Sequence, residues 1–180
     1  RQMCIRDSIY ISNGSVTGVQ VNNSYDISTD IVVLAIGHSA RDTFRLLYDK
    51  GISMRPKNFS VGVRIEHPRS MIDWNQYGKF SKVLGAASYK LTHTTSSGRG
   101  VYSFCMCPGG FVVLASSEEG RLVVNGMSNY KRDEKNSNSA LVVTVGPKDF
   151  GDNPMDGIEF QRKLEEKAYI AGKGFIPVQL

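Results

Sequence analysis

The segment Gly98-Arg99-Gly100-Val101-Tyr102-Ser103-Phe104-Cys105-Met106-Cys107-Pro108-Gly109-Gly110 constrains this chain more than any other. Pro108 fixes its own φ and donates no hydrogen bond. Gly109 and Gly110 follow, and glycine permits positive φ and close backbone approach. A tight turn is therefore required just after Cys107. Val101 to Met106 reads as a strand, and side chains on a strand alternate between faces. Cys105 and Cys107 are accordingly expected on one face, at a strand end, beside a glycine turn. That placement suits thiols shown to a ligand. It suits a disulfide between them poorly, because so short a loop strains the bond. Equally, a free cysteine behaves as a small hydrophobe, and two on a strand are more often core than chemistry. The histidines at 38, 67 and 93 form no zinc-ligand spacing with them.

Upstream, Ile9 to Ser12, Asn13-Gly14 and Ser15 to Val21 read as a β-hairpin. Asn-Gly tolerates the positive φ that a two-residue hairpin turn demands. Tyr25 to Ile27 is expected to add a short strand. Ile31 to Ile36 is a continuous apolar run rich in β-branched residues, which predicts a buried, parallel strand. The run ends at Gly37. Ser39 and Asp42 then have capping-box spacing, so a helix is expected with Ser39 as N-cap and a stop at Gly51. A helix N-terminus at the end of such a strand favours an anionic group. His38 either hydrogen-bonds a ligand there or caps the turn. Arg41 either reaches a phosphate or pairs on the surface.

Composition changes near Met54-Arg55-Pro56, and a domain boundary is placed at about residue 52. Asn58 to Ile65 reads as a strand, with Arg64, Glu66 and His67 at its end before Pro68. Arg64 and Glu66 share a strand face, so an ion pair is the plain reading. The sharper one sets Arg64 or His67 beside a carboxylate-bearing substrate. Trp74 falls in a turn or short helix. Further strands are expected at 86–92, 101–106, 111–115, 122–125 and 140–145, with a hairpin turn at Glu118-Glu119-Gly120. Short strands with regular turns indicate a mainly antiparallel β-domain. Gly157 to Ala171 is expected to form a closing helix with Phe160, Leu164, Ala168 and Ala171 as its apolar stripe. Arg99, beside two glycines, is a candidate anion binder.

Hydrophobic residues make up 41% and charged residues 22%, as in a soluble globular protein. The formal charge is +5, and the lysines and arginines are scattered. No basic stripe emerges, which argues against nucleic acid. Lys131-Arg132-Asp133-Glu134-Lys135 mixes signs and reads as a solvated loop. No apolar run approaches the ~20 residues of a membrane helix. The sparse cysteines suit the reducing cytoplasm. G-x-G-x-x-G does not occur, so the strongest dinucleotide fingerprint is missing.

Several stretches in order resemble a bacterial family of FAD-dependent dehydrogenases, often labelled NAD(FAD)-utilising dehydrogenases. They are Ile31 to Thr43, Val61 to Pro68, Gly98 to Gly110, Val123 to Ser128 and Asn136 to Leu141. The resemblance covers nearly all of the chain from Ile9 onward. It implies a fragment of a longer flavoprotein, with the glycine-rich pyrophosphate loop before it and the rest of the flavin domain after it. Met3 to Ser8 is what ATG-TGT-ATA-AGA-GAC-AG encodes, the end of a common sequencing-library adapter. Residues 1–8 are therefore expected to be foreign, the alternative being native residues of unlucky composition.

By resemblance, residues 9–51 are part of a Rossmann-like FAD domain, and 52–180 a β-rich inserted domain that covers the flavin and shapes the substrate site. The fold class expected is α/β plus a β-rich insert (α+β). Ala35-Ile36-Gly37 looks like the Ala-Thr-Gly turn beside FAD in related flavoproteins, although Ile36 lacks the threonine hydroxyl. Ala35, Ile36, Gly37, His38 and Arg41 are thus the implied FAD contacts. Cys105 and Cys107 are implied catalytic candidates, for redox relay or packing against the flavin edge. Arg64, His67 and Arg99 are candidates for a small-molecule substrate. NAD(P)H is a candidate electron donor. The alternative is a recognition module, for nucleic acid or another partner, with no chemistry of its own. The oligomeric state is left open.

Overall fold

Asn13 and Gly14 adopt φ of 51° and 78°, the positive values that a two-residue hairpin turn requires. They join β1 (Ser8–Ser12) to β2 (Ser15–Val21) in this computed structural model, which describes residues 8–174. Ser8 pairs with Gln20, so it takes part in the fold, whereas residues 1–7 lie outside the described residues. A turn through Asn22 and Asn23 adds β3 (Tyr25–Ser28), and the sheet has the antiparallel order β1-β2-β3. These elements belong to the first of two compact units, residues 1–53.

The buried strand expected at Ile31 to Ile36 does not form. Its residues have no strand partner among the described residues, and Ile31 and Val33 are 74% and 85% exposed. An apolar β-branched run favours extended backbone, but a strand also needs a neighbour to satisfy its amides. Here β1 to β3 pair only with one another. The helix that follows, α1 (Arg41–Asp49), starts one residue later than expected, with Ala40 at its cap. Ser39 does not cap it, because its carbonyl accepts the Arg41 N–H (2.8 Å) while its hydroxyl faces His38. The end is as the glycine requires. Gly51 N–H donates to Tyr48 O and Ile52 N–H to Leu47 O, the paired bonds of a left-handed glycine stop.

The second unit, residues 54–180, is built on β4 (Phe59–Pro68), β5 (Thr92–Thr94), β6 (Gly100–Cys107) and β9 (Asn136–Val145). Their order is β4-β9-β6-β5, and every pairing is antiparallel. A separate hairpin joins β7 (Gly110–Leu114) to β8 (Val124–Ser128). Helix α2 (Arg69–Tyr77) follows β4 directly and carries Trp74. Of the strand expected at 86–92, Thr92 lies in β5 and Leu91 O accepts the Ser103 N–H (2.8 Å). Short α3 (Pro147–Phe150) leads to α4 (Asp156–Ala171). Phe59 on β4, Phe150 on α3 and Phe160 on α4 meet with ring centroids 5.2–6.3 Å apart, which ties helices to sheet.

Of the stripe expected on α4, Phe160 and Ala168 are partly covered, whereas Leu164 and Ala171 are exposed; Arg162 and Glu165 are partly covered as well. The segment 115–123, longer than a hairpin turn, lies along them. Leu122 N–H donates to Glu165 O (3.0 Å), and Arg121 Nη1 to Arg162 O (2.8 Å). The Glu118 carboxylate accepts from Arg162 Nε and Nη2 (3.0 and 2.9 Å) and pairs with Arg121. The molecule is thus mixed α and β with antiparallel sheets, and no parallel pair occurs among the described residues. No helix among those residues is long and apolar enough to cross a membrane.

Candidate functional site

Phe104 pairs with Ala140, and Cys107, three residues on, pairs with Asn138, two residues back. One extra residue therefore sits in β6, a β-bulge. Cys105 carries the distortion, with φ of 48° in the left-handed region. For a residue with a Cβ this costs about 1–2 kcal/mol. The bulge also breaks the alternation that would have set both thiols on one face. Cys105 is exposed and Cys107 is buried, and the Cys107 thiol folds back to donate to Cys105 O at 3.4 Å. The glycine turn that follows is pinned on both sides. Gly109 N–H donates to Ser137 Oγ (3.0 Å), and Ser128 Oγ donates to Pro108 O (2.7 Å).

Arg64 reaches this bulge from β4, two strands away. Its Nη1 donates to Asn138 Oδ1 (2.8 Å) and Cys105 O (3.0 Å), and its Nη2 reaches Asn125 Oδ1 at 3.5 Å. The register explains the meeting. Arg64 lies opposite Ala140, and Glu66 opposite Asn138, so Arg64 and Asn138 share a sheet face with Cys107. From above, β8 presents Gly126, where a Cβ would strike Arg64 Nη1 and Asn138 Oδ1 and come within 2.8 Å of Cys107 Sγ. Glycine is thus required there for close approach.

The electrostatics of this cluster are uneven. The guanidinium is held by one carbonyl and two side-chain amide oxygens, all neutral, so its charge stays available to an anion. Asn138 is fully buried, and its Nδ2 has no hydrogen-bond partner among the described residues. Burial pushes the Cys107 thiol above its ordinary pKa, the neighbouring Cys105 adds to this, and Arg64 opposes it. Cys107 is therefore held as a thiol, not as the thiolate a nucleophile needs.

Other residues singled out from the sequence lie elsewhere. His67 is three positions from Arg64 and points to the opposite sheet face, where its ring packs on Tyr89 at 5.6 Å. Its Nε2 is buried without a partner among the described residues, and burial lowers its pKa against the opposing pull of Glu66. Arg99 precedes β6 at the end remote from the bulge. It makes two bonds to the Asp149 carboxylate (2.9 and 2.7 Å) and one to Thr144 O (2.8 Å). In the first unit, Ala35, Ile36, Gly37 and His38 form an exposed segment, with Gly37 at φ 71° and open space where its Cβ would be. Arg41 is only 5% exposed, unlike a surface arginine.

Asn125, Gly126 and Asn138 carry no titratable group, and sequence reading assigned them no role. Their one signal was membership of the stretches Val123 to Ser128 and Asn136 to Leu141. Among the described residues, no three His, Cys, Asp or Glu side chains are grouped to hold a metal ion.

A family model described as "FAD-dependent protein, C-terminal domain-like" matches residues 58–180. An uncharacterised protein of Clostridium beijerinckii is 52% identical over 180 residues, which cover 97% of this chain and 34% of the relative. The chain thus spans about a third of the length of that relative.

Proposed function

The chain belongs to the FAD-dependent protein, C-terminal domain-like family, and from this premise we propose that it is part of an FAD-dependent oxidoreductase acting on a small molecule. The family match over residues 58–180 carries the reading. In it, the second unit is the domain that faces substrate, and the first contributes to a Rossmann-like flavin domain in the longer protein. The exposed apolar run Ile31 to Ile36 supports this, because such a run gains most from pairing within a larger sheet.

The residues present fit part of FAD. Gly37, at positive φ with open space beside it, lets a ring or ribose approach the backbone, and His38 stands next to it. The first turn of α1 fits a phosphate poorly, because the Asp42 carboxylate already accepts the Thr43 N–H at 2.7 Å. The contact assigned to Ala35, Ile36, Gly37 and His38 is therefore with the uncharged parts of the cofactor. Arg41, being buried, is not assigned to it. Bound FAD supplies the two-electron chemistry, while the protein orients and excludes water. Arg64, with neutral partners on its guanidinium, binds and orients an anionic group of the substrate. Asn138 and Asn125 hold Arg64 in place. The buried Cys107 thiol packs behind them, and Cys105 faces solvent.

The test is the visible absorption spectrum of the full-length protein after purification. Flavin bands, bleached on reduction by NADH or NADPH, support the reading. A folded, colourless protein that takes up no added FAD overturns it.

A further inference from the structure

A second site lies away from Arg64. A cleft of about 540 Å³ opens between α2, the segment 81–86 and the loop 129–135. That volume is in the range of small-ligand sites. Arg69 and Asp73, one helical turn apart, pair at 3.3 Å, and Asp73 also accepts the Ala87 N–H (2.8 Å), so this acid is fixed and neutralised. Lys82, Lys131 and Arg132 also line the cleft, and no described residue pairs with their side chains. In sequence, Asp133 and Glu134 would offset Lys131 and Arg132. In the fold those two acids accept from Asn129 Nδ2 at 2.9 and 3.2 Å rather than forming ion pairs with Lys131 or Arg132, and residues 131–135 together keep one net positive charge.

The basic loop is held, not loose. Arg132 stands at φ 52°, and its carbonyl accepts from Arg69 Nη1 (3.1 Å). Its backbone fits only because Gly109 has no Cβ. Arg69 N–H donates to Lys135 O (3.0 Å), which ties the far end to α2. Facing this loop, Trp74 lines the cleft and is 62% exposed. An open indole offers a stacking surface for a flat ring, and three unpaired cations nearby attract phosphate.

We propose that this cleft binds a nucleoside phosphate, its base against Trp74 and its phosphates on Lys131, Arg132 and Lys82. The cations alone would take any anion, and the indole selects one bearing an aromatic ring. The site is independent of the flavin reading.

Trp74 is the only tryptophan of the 180-residue chain, so its fluorescence reports on the cleft. ADP titrated into the chain is expected to quench it saturably, about tenfold or more tighter than inorganic phosphate or adenosine. The double variant Lys131→Gln, Arg132→Gln keeps the backbone bonds and is expected to weaken ADP by about tenfold or more. By calorimetry, Trp74→Phe is expected to retain binding and Trp74→Ala to lose it. Absence of saturable quenching overturns the proposal. So does equal affinity for phosphate and ADP, or unchanged ADP binding by a folded double variant. A single-stranded oligonucleotide binding far more tightly than ADP also overturns it, in favour of a nucleic-acid surface.

Discussion

Arg64 and Asn138, 74 residues apart in the chain, meet at 2.8 Å between β4 and β9. Asn138 has no exposed surface, so this charge-assisted bond is made where water cannot replace it. The same guanidinium holds the carbonyl of Cys105, the residue that bears the left-handed φ of the bulge. One side chain thus links a buried amide, a strained strand end and a thiol.

Asn138→Ala removes the acceptor of Arg64 and is expected to destabilise the chain by about 2 kcal/mol, in the range for a hydrogen bond to a charged group. Urea unfolding measures it. A loss under about 0.5 kcal/mol, typical of surface substitutions, would show that the bond contributes little.

Gly126→Ala forces a Cβ into the space taken by Arg64, Asn138 and Cys107. Overpacking of this kind costs about 1–3 kcal/mol. Gly100→Ala, where a Cβ meets nothing within 4 Å, is the matched control and is expected to melt closer to the parent. Equal melting temperatures for the two variants would contradict the packing described for β8.

The two thiols are expected to differ sharply in reactivity. In a Cys4→Ser background, Cys105 labels quickly with iodoacetamide at neutral pH, because it is exposed. Cys107 labels slowly until the protein unfolds or the pH becomes strongly alkaline, since burial raises its pKa. Cys105→Ser should abolish the fast phase, as mass spectrometry of the labelled peptide would show. Two equal rates would exclude the bulge geometry.

Arg99 holds the Asp149 carboxyl down to about 2 from the ordinary 3.8, helped by the Gly146 N–H. A carboxyl depressed in the folded state stabilises fully above its unfolded pKa, and loses that effect as pH falls through the folded one. The melting-temperature gap between the parent and Asp149→Asn should therefore be open above pH 3.8 and close towards about 2. The pair is exposed, so the gap should be modest and should shrink in high salt. A gap that widens on acidification would contradict this assignment.

Local chemistry was enough for two tight turns and one helix stop, though not for the start of α1 or the connection through Glu118. Asn13-Gly14, Gly51 and Pro108-Gly109-Gly110 act through the φ of one or two residues, and a sequence displays those residues directly. The antiparallel character of the second unit was legible in the same way, from short β-rich runs between turn residues. The thiol pair, Arg64 and His67 could be noticed as chemistry, but not arranged. Whether Cys105 and Cys107 share a face depends on a register shift against β9, and periodicity within β6 has no access to it. Ile31 to Ile36 had strand composition and, among the described residues, no strand to pair with, and backbone hydrogen bonds need a second segment. Asn138 and Gly126 matter only through what stands opposite them. The sequence by itself determined the short-range conformations, whose energies are set within a few residues. The tertiary structure alone decided which side chains meet, since those contacts are made between strands tens of residues apart.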